Sequence, residues 1–148
     1  MTDRKTDYPK TKPLRIAQAQ MPVITDLTAS RDYLEAAAEK AAGQKAQFLL
    51  LPEMFCCPYD TASFPEYAEE EGGPVYTLCA EIARKYSIYF SAGTIPERDS
   101  RGRIYNTAYV FDPEGRQIAK HRKMHLFDIQ VQGGQHFRES DVLSAGNS

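Results

Sequence analysis

The sequence predicts an α/β fold in which a mixed sheet carries two helices on one face. Three observations predict it. A strand pattern, an amphipathic stretch and a second strand pattern follow one another between Leu14 and Leu51. That is the order of a βαβ unit, which makes the two strands parallel. A second amphipathic stretch runs from Pro74 to Tyr86 and leads into another strand pattern. Two turn sequences, Asp99-Ser100-Arg101-Gly102 and Asp112-Pro113-Glu114-Gly115, then divide strand-like segments into successive hairpins. An antiparallel meander therefore continues a parallel start.

Each element has its own local reason. Residues 1–13 hold Lys5, Lys10 and Lys12 among polar residues and two prolines, without the apolar core of a signal peptide, and read as a flexible tail ahead of a domain at 14–148. Leu14 to Gln20 reads as the first strand, closed by Pro22. Asp26, Thr28 or Ser30 can cap a helix at about 26–42 whose inner face is Leu34, Ala37, Ala38 and Ala41, with Gly43 placed to end it. Phe48 to Leu51 is an unbroken apolar run, as in a strand buried on both faces, and Pro52 stops its pairing. The next segment reads as a loop, aromatic at Tyr59, Phe64 and Tyr67 and acidic at Glu69-Glu70-Glu71, the triplet forming a solvated face.

Pro74 suits the first turn of the second helix, at about 74–86. Val75, Leu78, Cys79, Ile82, Ala83 and Tyr86 recur on one face of it. Ile88 to Thr94 reads as the third strand, and Ile104 to Phe111 and Gln117 to Lys120 follow. Strands apolar on both faces outnumber the helices available to cover them. The second face of the sheet therefore calls for a partner, either a second copy or further polypeptide, because such a face exceeds the apolar patch a soluble monomer usually exposes.

At 148 residues, 42% hydrophobic and 26% charged, the composition is that of a soluble globular domain. A net charge of −2 gives no electrostatic case for nucleic acid or anionic membrane. No apolar run approaches the ~18 residues of a membrane span. The cysteine count is three, and no secretion signal is apparent, which points to the reducing cytoplasm. Cys56 and Cys57 are adjacent, lack metal spacing and pack in the loop after Glu53; Cys79 lies on a helical apolar stripe and belongs to a core.

Three segments carry chemistry. In Leu49-Leu50-Leu51-Pro52-Glu53-Met54-Phe55 an apolar strand ends in a carboxylate. Ligands of open α/β sheets bind at the carboxyl ends of strands. Partial desolvation there would raise the pKa of Glu53 toward the range of a general base. In His121-Arg122-Lys123-Met124-His125-Leu126-Phe127-Asp128, basic and apolar residues mix as in a partly buried, pocket-lining loop. A lysine held there can stabilise an oxyanion as a fixed point charge. His121 and His125 stand at no metal spacing with a carboxylate or cysteine cluster, so no metal site is expected. Gly133-Gly134-Gln135-His136-Phe137-Arg138-Glu139-Ser140 is glycine-rich and ends near another carboxylate.

Together with Ser91-Ala92-Gly93-Thr94-Ile95-Pro96-Glu97 and Tyr105-Asn106-Thr107-Ala108, these segments resemble the carbon–nitrogen hydrolase (nitrilase) superfamily, nearest its ω-amidase-like branch, from about Leu14 onward. The resemblance implies the amino-terminal part of an α–β–β–α sandwich. It implies Glu53 as general base, Lys123 as catalytic lysine and Glu139 as a second, supporting glutamate. Tyr59 and Phe127 are the candidate substrate contacts. The reaction implied is cofactor-free hydrolysis of a small carboxamide through a cysteine thioester, with an amide of a short dicarboxylate as substrate and a homodimer or larger assembly as the working form. An N-carbamoyl amine amidohydrolase or nitrilase of the same superfamily is the alternative within the class, and a non-catalytic binding or assembly module the alternative outside it. The family's cysteine lies beyond the second glutamate, whereas Cys56, Cys57 and Cys79 all precede Lys123. The expectation is a chain that lacks the nucleophile and is inactive alone.

Overall fold

A computed structural model describes residues 12–130 and 136–147. The expected tail lies almost wholly outside these residues, as do Gly133, Gly134 and Gln135 of the third motif. The elements are β1 (Ile16–Gln18), α1 (Leu27–Gly43), β2 (Phe48–Leu50), α2 (Ser63–Tyr67), α3 (Pro74–Tyr86), β3 (Tyr89–Ser91), β4 (Ile95–Arg98), β5 (Ile104–Phe111), β6 (Gln117–Arg122), β7 (Asp128–Gln130) and β8 (His136–Arg138), followed by a 3₁₀ turn at Glu139–Asp141.

The main sheet is mixed. β1, β2 and β3 are parallel neighbours, with Ile16 opposite Phe48 and Phe48 opposite Tyr89. β5 is the long central strand. One of its edges pairs antiparallel with β3 through Phe111 and Val110 and with β4 through Thr107 to Ile104. Its other edge pairs antiparallel with β6. β7 and β8 form a separate two-stranded hairpin.

Both long helices lie on one face. α3 packs on β3 and β5, and α1 packs on α3, joined by the ion pairs Arg31–Glu81 at 3.0 Å and Lys85–Glu35 at 2.7 Å. Asp26 caps α1 through the Ala29 N–H at 2.8 Å. Beneath the helices, Leu34, Ala38, Leu78 and Ile82 meet Leu49, Phe90, Tyr109 and Phe111 in one buried core. Alternation sends the intervening strand residues to the opposite face. There Ile16 is 54% exposed and Tyr89 41%, with the Phe48 ring stacked on Tyr89 at 6.0 Å.

Several boundaries differ from the sequence reading. The loop after Glu53 contains a third helix, α2, too short to show a periodic stripe. The expected strand Ile88–Thr94 contains only β3, because Gly93 turns the chain with φ +56°, and a separate strand, β4, begins beyond it at Ile95. Gly43 closes α1 without a left-handed φ; Lys45, at φ 58°, makes that turn. β6 runs on through His121 and Arg122, the first two residues of the segment whose mixed basic and apolar composition predicts a loop. Glu69 does not belong to a solvated triplet: its carboxylate accepts the Val75 and Tyr76 N–H groups at 3.0 and 2.8 Å and so caps α3. The β7–β8 hairpin, marked only by a glycine-rich segment, was not anticipated.

Candidate active site

The site is assembled from segments far apart in sequence, each delivered by the end of a strand. β2 ends at Leu50, and Leu51 still pairs through its N–H with Ser91 O at 3.0 Å before Pro52 turns the chain. Gly93 permits that turn: a Cβ there would lie 1.9 Å from Pro52 O. Met54 takes a left-handed φ of 50° and its N–H is held by Thr94 Oγ1 at 3.0 Å. Glu53 is thus presented at a rigid corner. Lys123 follows β6 directly. Its backbone is pinned on both sides, with its N–H donating to Asn106 O at 2.8 Å and its carbonyl accepting from Gly146 N at 2.9 Å. Glu139 opens the 3₁₀ turn after β8.

These three residues meet. Lys123 Nζ donates to Glu53 Oε1 at 3.0 Å across 70 residues of chain, and to Glu139 Oε1 at 3.0 Å across 16. Tyr59 joins them, its hydroxyl donating to Glu139 Oε1 at 2.5 Å and lying 3.3 Å from Glu53 Oε1. Its ring stacks on Phe137 and meets the edge of Phe64. Phe127 contributes its backbone N–H, which donates to Glu139 Oε2 at 2.6 Å, while its ring is half exposed.

Asn106, quoted in a motif but given no role by the sequence reading, also belongs here: Nδ2 donates to Glu53 Oε1 at 2.6 Å. The available signal was a carboxamide in the middle of an otherwise aromatic and β-branched strand. Among the described residues, no group of three or more His, Cys, Asp or Glu side chains gathers to hold a metal ion.

The two carboxyl groups differ. Glu139 is fully buried and both its oxygens accept hydrogen bonds. The Glu53 side chain is 46% exposed. All its donors converge on Oε1, so that among the described residues Oε2 accepts no hydrogen bond. The expected rise in the Glu53 pKa is not found. Burial pushes it up, but the hydrogen bonds and charge of Lys123, with the Asn106 amide, outweigh burial and hold it below the ordinary glutamate value. For Lys123, burial pulls the pKa down, and pairing with Glu53 and Glu139 outweighs that and raises it. Burial and the Glu139 hydrogen bond push the Tyr59 hydroxyl up, so it stays a donor.

The cysteines stand apart from this chemistry. Cys56, Cys57 and Cys79 are all buried. Burial pushes the thiols of Cys56 and Cys57 up to about 12.

Comparison with known proteins defines the class. The family model for carbon–nitrogen hydrolases matches residues 15–148, and the chain belongs to that family. Among curated relatives, it is 49% identical over 110 residues to omega-amidase NIT2-B of Xenopus laevis, covering 74% of this chain and 40% of that protein. It is 50% identical over 109 residues to omega-amidase NIT2 of Pongo abelii, covering 74% and 39%. The chain thus spans about two fifths of the length of these relatives. Among solved structures, that of Nit3 from Saccharomyces cerevisiae, a member of the nitrilase superfamily, aligns with a TM-score of 0.77 at 31% identity, over 91% of this chain and 49% of that one. An amidase from Nesterenkonia sp. aligns with a TM-score of 0.74 at 25% identity, over the same shares. The fold is that of the nitrilase superfamily.

Proposed function

We propose that this chain supplies the base and the oxyanion-binding lysine for hydrolysis of a small carboxamide, in the manner of an ω-amidase. The observation that carries the reading is the convergence of Glu53, Lys123 and Glu139 within hydrogen-bond distance, with one carboxyl group open and the other closed. Identity to omega-amidases supports the substrate class.

In this reading a cysteine thiol passes its proton to Glu53 Oε2, the oxygen that its neighbours leave available, and the thiolate forms a bond to the amide carbon. The carbonyl electron pair moves to oxygen, where Lys123 Nζ stabilises the oxyanion. Collapse breaks the C–N bond. Glu53 returns the proton to the leaving nitrogen, which departs as ammonia. A water then gives its proton to Glu53, attacks the thioester and releases the acid and the thiol. Glu139 holds Lys123 in place, and Tyr59 and Phe127 border the substrate. No cofactor takes part. Buried thiols held in the protonated form are poor nucleophiles. The attacking cysteine is therefore none of Cys56, Cys57 and Cys79, and the chain alone is inactive.

A chimera tests this. Residues 1–148 are joined to the remaining carboxyl-terminal part of the Xenopus laevis omega-amidase, and ammonia release from short dicarboxylate monoamides is measured. Turnover is expected, falling about 10²–10⁴-fold on Glu53→Gln, as for loss of a general base. Turnover by the unextended chain that disappears on Cys56→Ala or Cys57→Ala would show that the nucleophile was misassigned.

A further inference from the structure

A buried carboxylate paired with two cations lies behind the site, on the helix-covered face of the same strands. Glu97, on β4, is 2% exposed. Its Oε1 accepts Lys120 Nζ at 2.7 Å and Arg122 Nη2 at 2.5 Å. Its Oε2 accepts Arg122 Nε at 3.0 Å and the Thr107 hydroxyl at 2.7 Å. The Arg122 guanidinium lies 3.9 Å from the centre of the Tyr105 ring, and Lys120 is shared with Glu71.

A buried ion pair is a poor stabiliser compared with well-packed apolar side chains, so its presence invites a question of specificity. Strand alternation provides the answer. Thr107 and Arg122 are directly paired across β5 and β6. The next pair along the ladder is Asn106 and Lys123, linked by the Lys123 N–H to Asn106 O bond. Neighbouring residues of a strand face opposite ways. Asn106 and Lys123 therefore emerge on the other face, and they are the two side chains that hold Glu53 Oε1 at 2.6 and 3.0 Å. A slip of one residue would exchange the faces. The turn at 112–115 does not prevent this by itself, because the register shifts between Val110 and Phe111, between that turn and the site.

We propose that Glu97 is a positioning residue: by clamping Thr107 and Arg122 on one face, it fixes the direction in which Asn106 and Lys123 project on the other, and so holds Glu53 in place. Its catalytic meaning rests on the reading of Glu53 and Lys123 above, but its test does not require turnover. The probe is the carbon resonance of the Glu53 carboxyl in the full chain, assigned by its loss in Glu53→Gln and followed against pH at low temperature, with circular dichroism confirming the fold.

Glu97→Gln and Thr107→Val are expected to raise the Glu53 midpoint by about half a unit or more, toward an unpaired glutamate. The sign discriminates, because removing a nearby anion through space alone would lower it. Thr107→Ser, which keeps the hydroxyl, should leave the midpoint in place. So should Leu34→Val, which weakens the core on α1, far in sequence from both strands. Should Glu97→Gln fail to fold, Thr107→Val decides. A folded variant of either kind with an unmoved or lowered Glu53 midpoint overturns the proposal and leaves Glu97 a purely structural pair.

Discussion

Glu53 and Glu139 accept from the same ammonium, yet one is half open to solvent and the other is sealed. Removing the charge of each should therefore have effects of very different size. Glu53→Gln is expected to change stability by less than about 1 kcal/mol, the ordinary range of an exposed ion pair. Glu139→Gln leaves Lys123 without its buried partner and is expected to cost about 3 kcal/mol or more. Urea denaturation of the two variants checks this, and equal losses would contradict the assignment. The pH dependence has a defined sign. Glu53 is held below the ordinary glutamate value, so its pairing contributes stability that is complete above about pH 5. That contribution is lost as pH falls through the lowered folded value. Wild type should therefore lose slightly more stability than Glu53→Gln on acidification below pH ~4.5.

At the scale of elements, the site depends on where strands stop. The β2 strand was legible because four apolar residues precede a proline, and the corner beyond it followed. What was not legible is that the corner needs Gly93, 40 residues on from Glu53, to pass against Pro52 O. Gly93→Ala places a Cβ in a left-handed backbone and against a carbonyl at once. A loss of at least about 2 kcal/mol is expected, from the backbone penalty and the displaced corner together. Thermal unfolding checks this, and Gly102→Ala serves as comparison: its φ is 79° but nothing lies within 4 Å of the added atom, so its loss should be the smaller. A similar loss at both positions would show that the close approach to Pro52 contributes nothing.

At the scale of the molecule, the sheet has one face under α1 and α3 and another that presents Ile16, Phe48 and Tyr89. Burying apolar area contributes about 25 cal/mol per Å², so a face of this width favours association. Sedimentation at micromolar concentration should show self-association of this chain, reduced by Ile16→Lys with Tyr89→Lys. A monodisperse monomer that binds no apolar dye would contradict it. Among the described residues no helix is long and apolar enough to cross a membrane.

The sequence by itself determined the mixed sheet, the two long helices on one face and the strand ends at which Glu53 and Lys123 sit. Those properties follow from local periodicity, capping and turn chemistry, which act over a few neighbouring residues. It also marked Glu139, through motif order, and Tyr59, as an aromatic residue of the loop after Glu53. Only the tertiary structure decided the rest. Asn106 and Glu97 look alike in sequence, each a polar residue in or beside an apolar strand. One faces the site and the other lies behind it, because the pairing register assigns the faces. The pKa of Glu53 fell rather than rose for the same reason. Burial at a strand end is a local expectation, whereas the ammonium and the carboxamide that outweigh it arrive from residues 70 and 53 positions away.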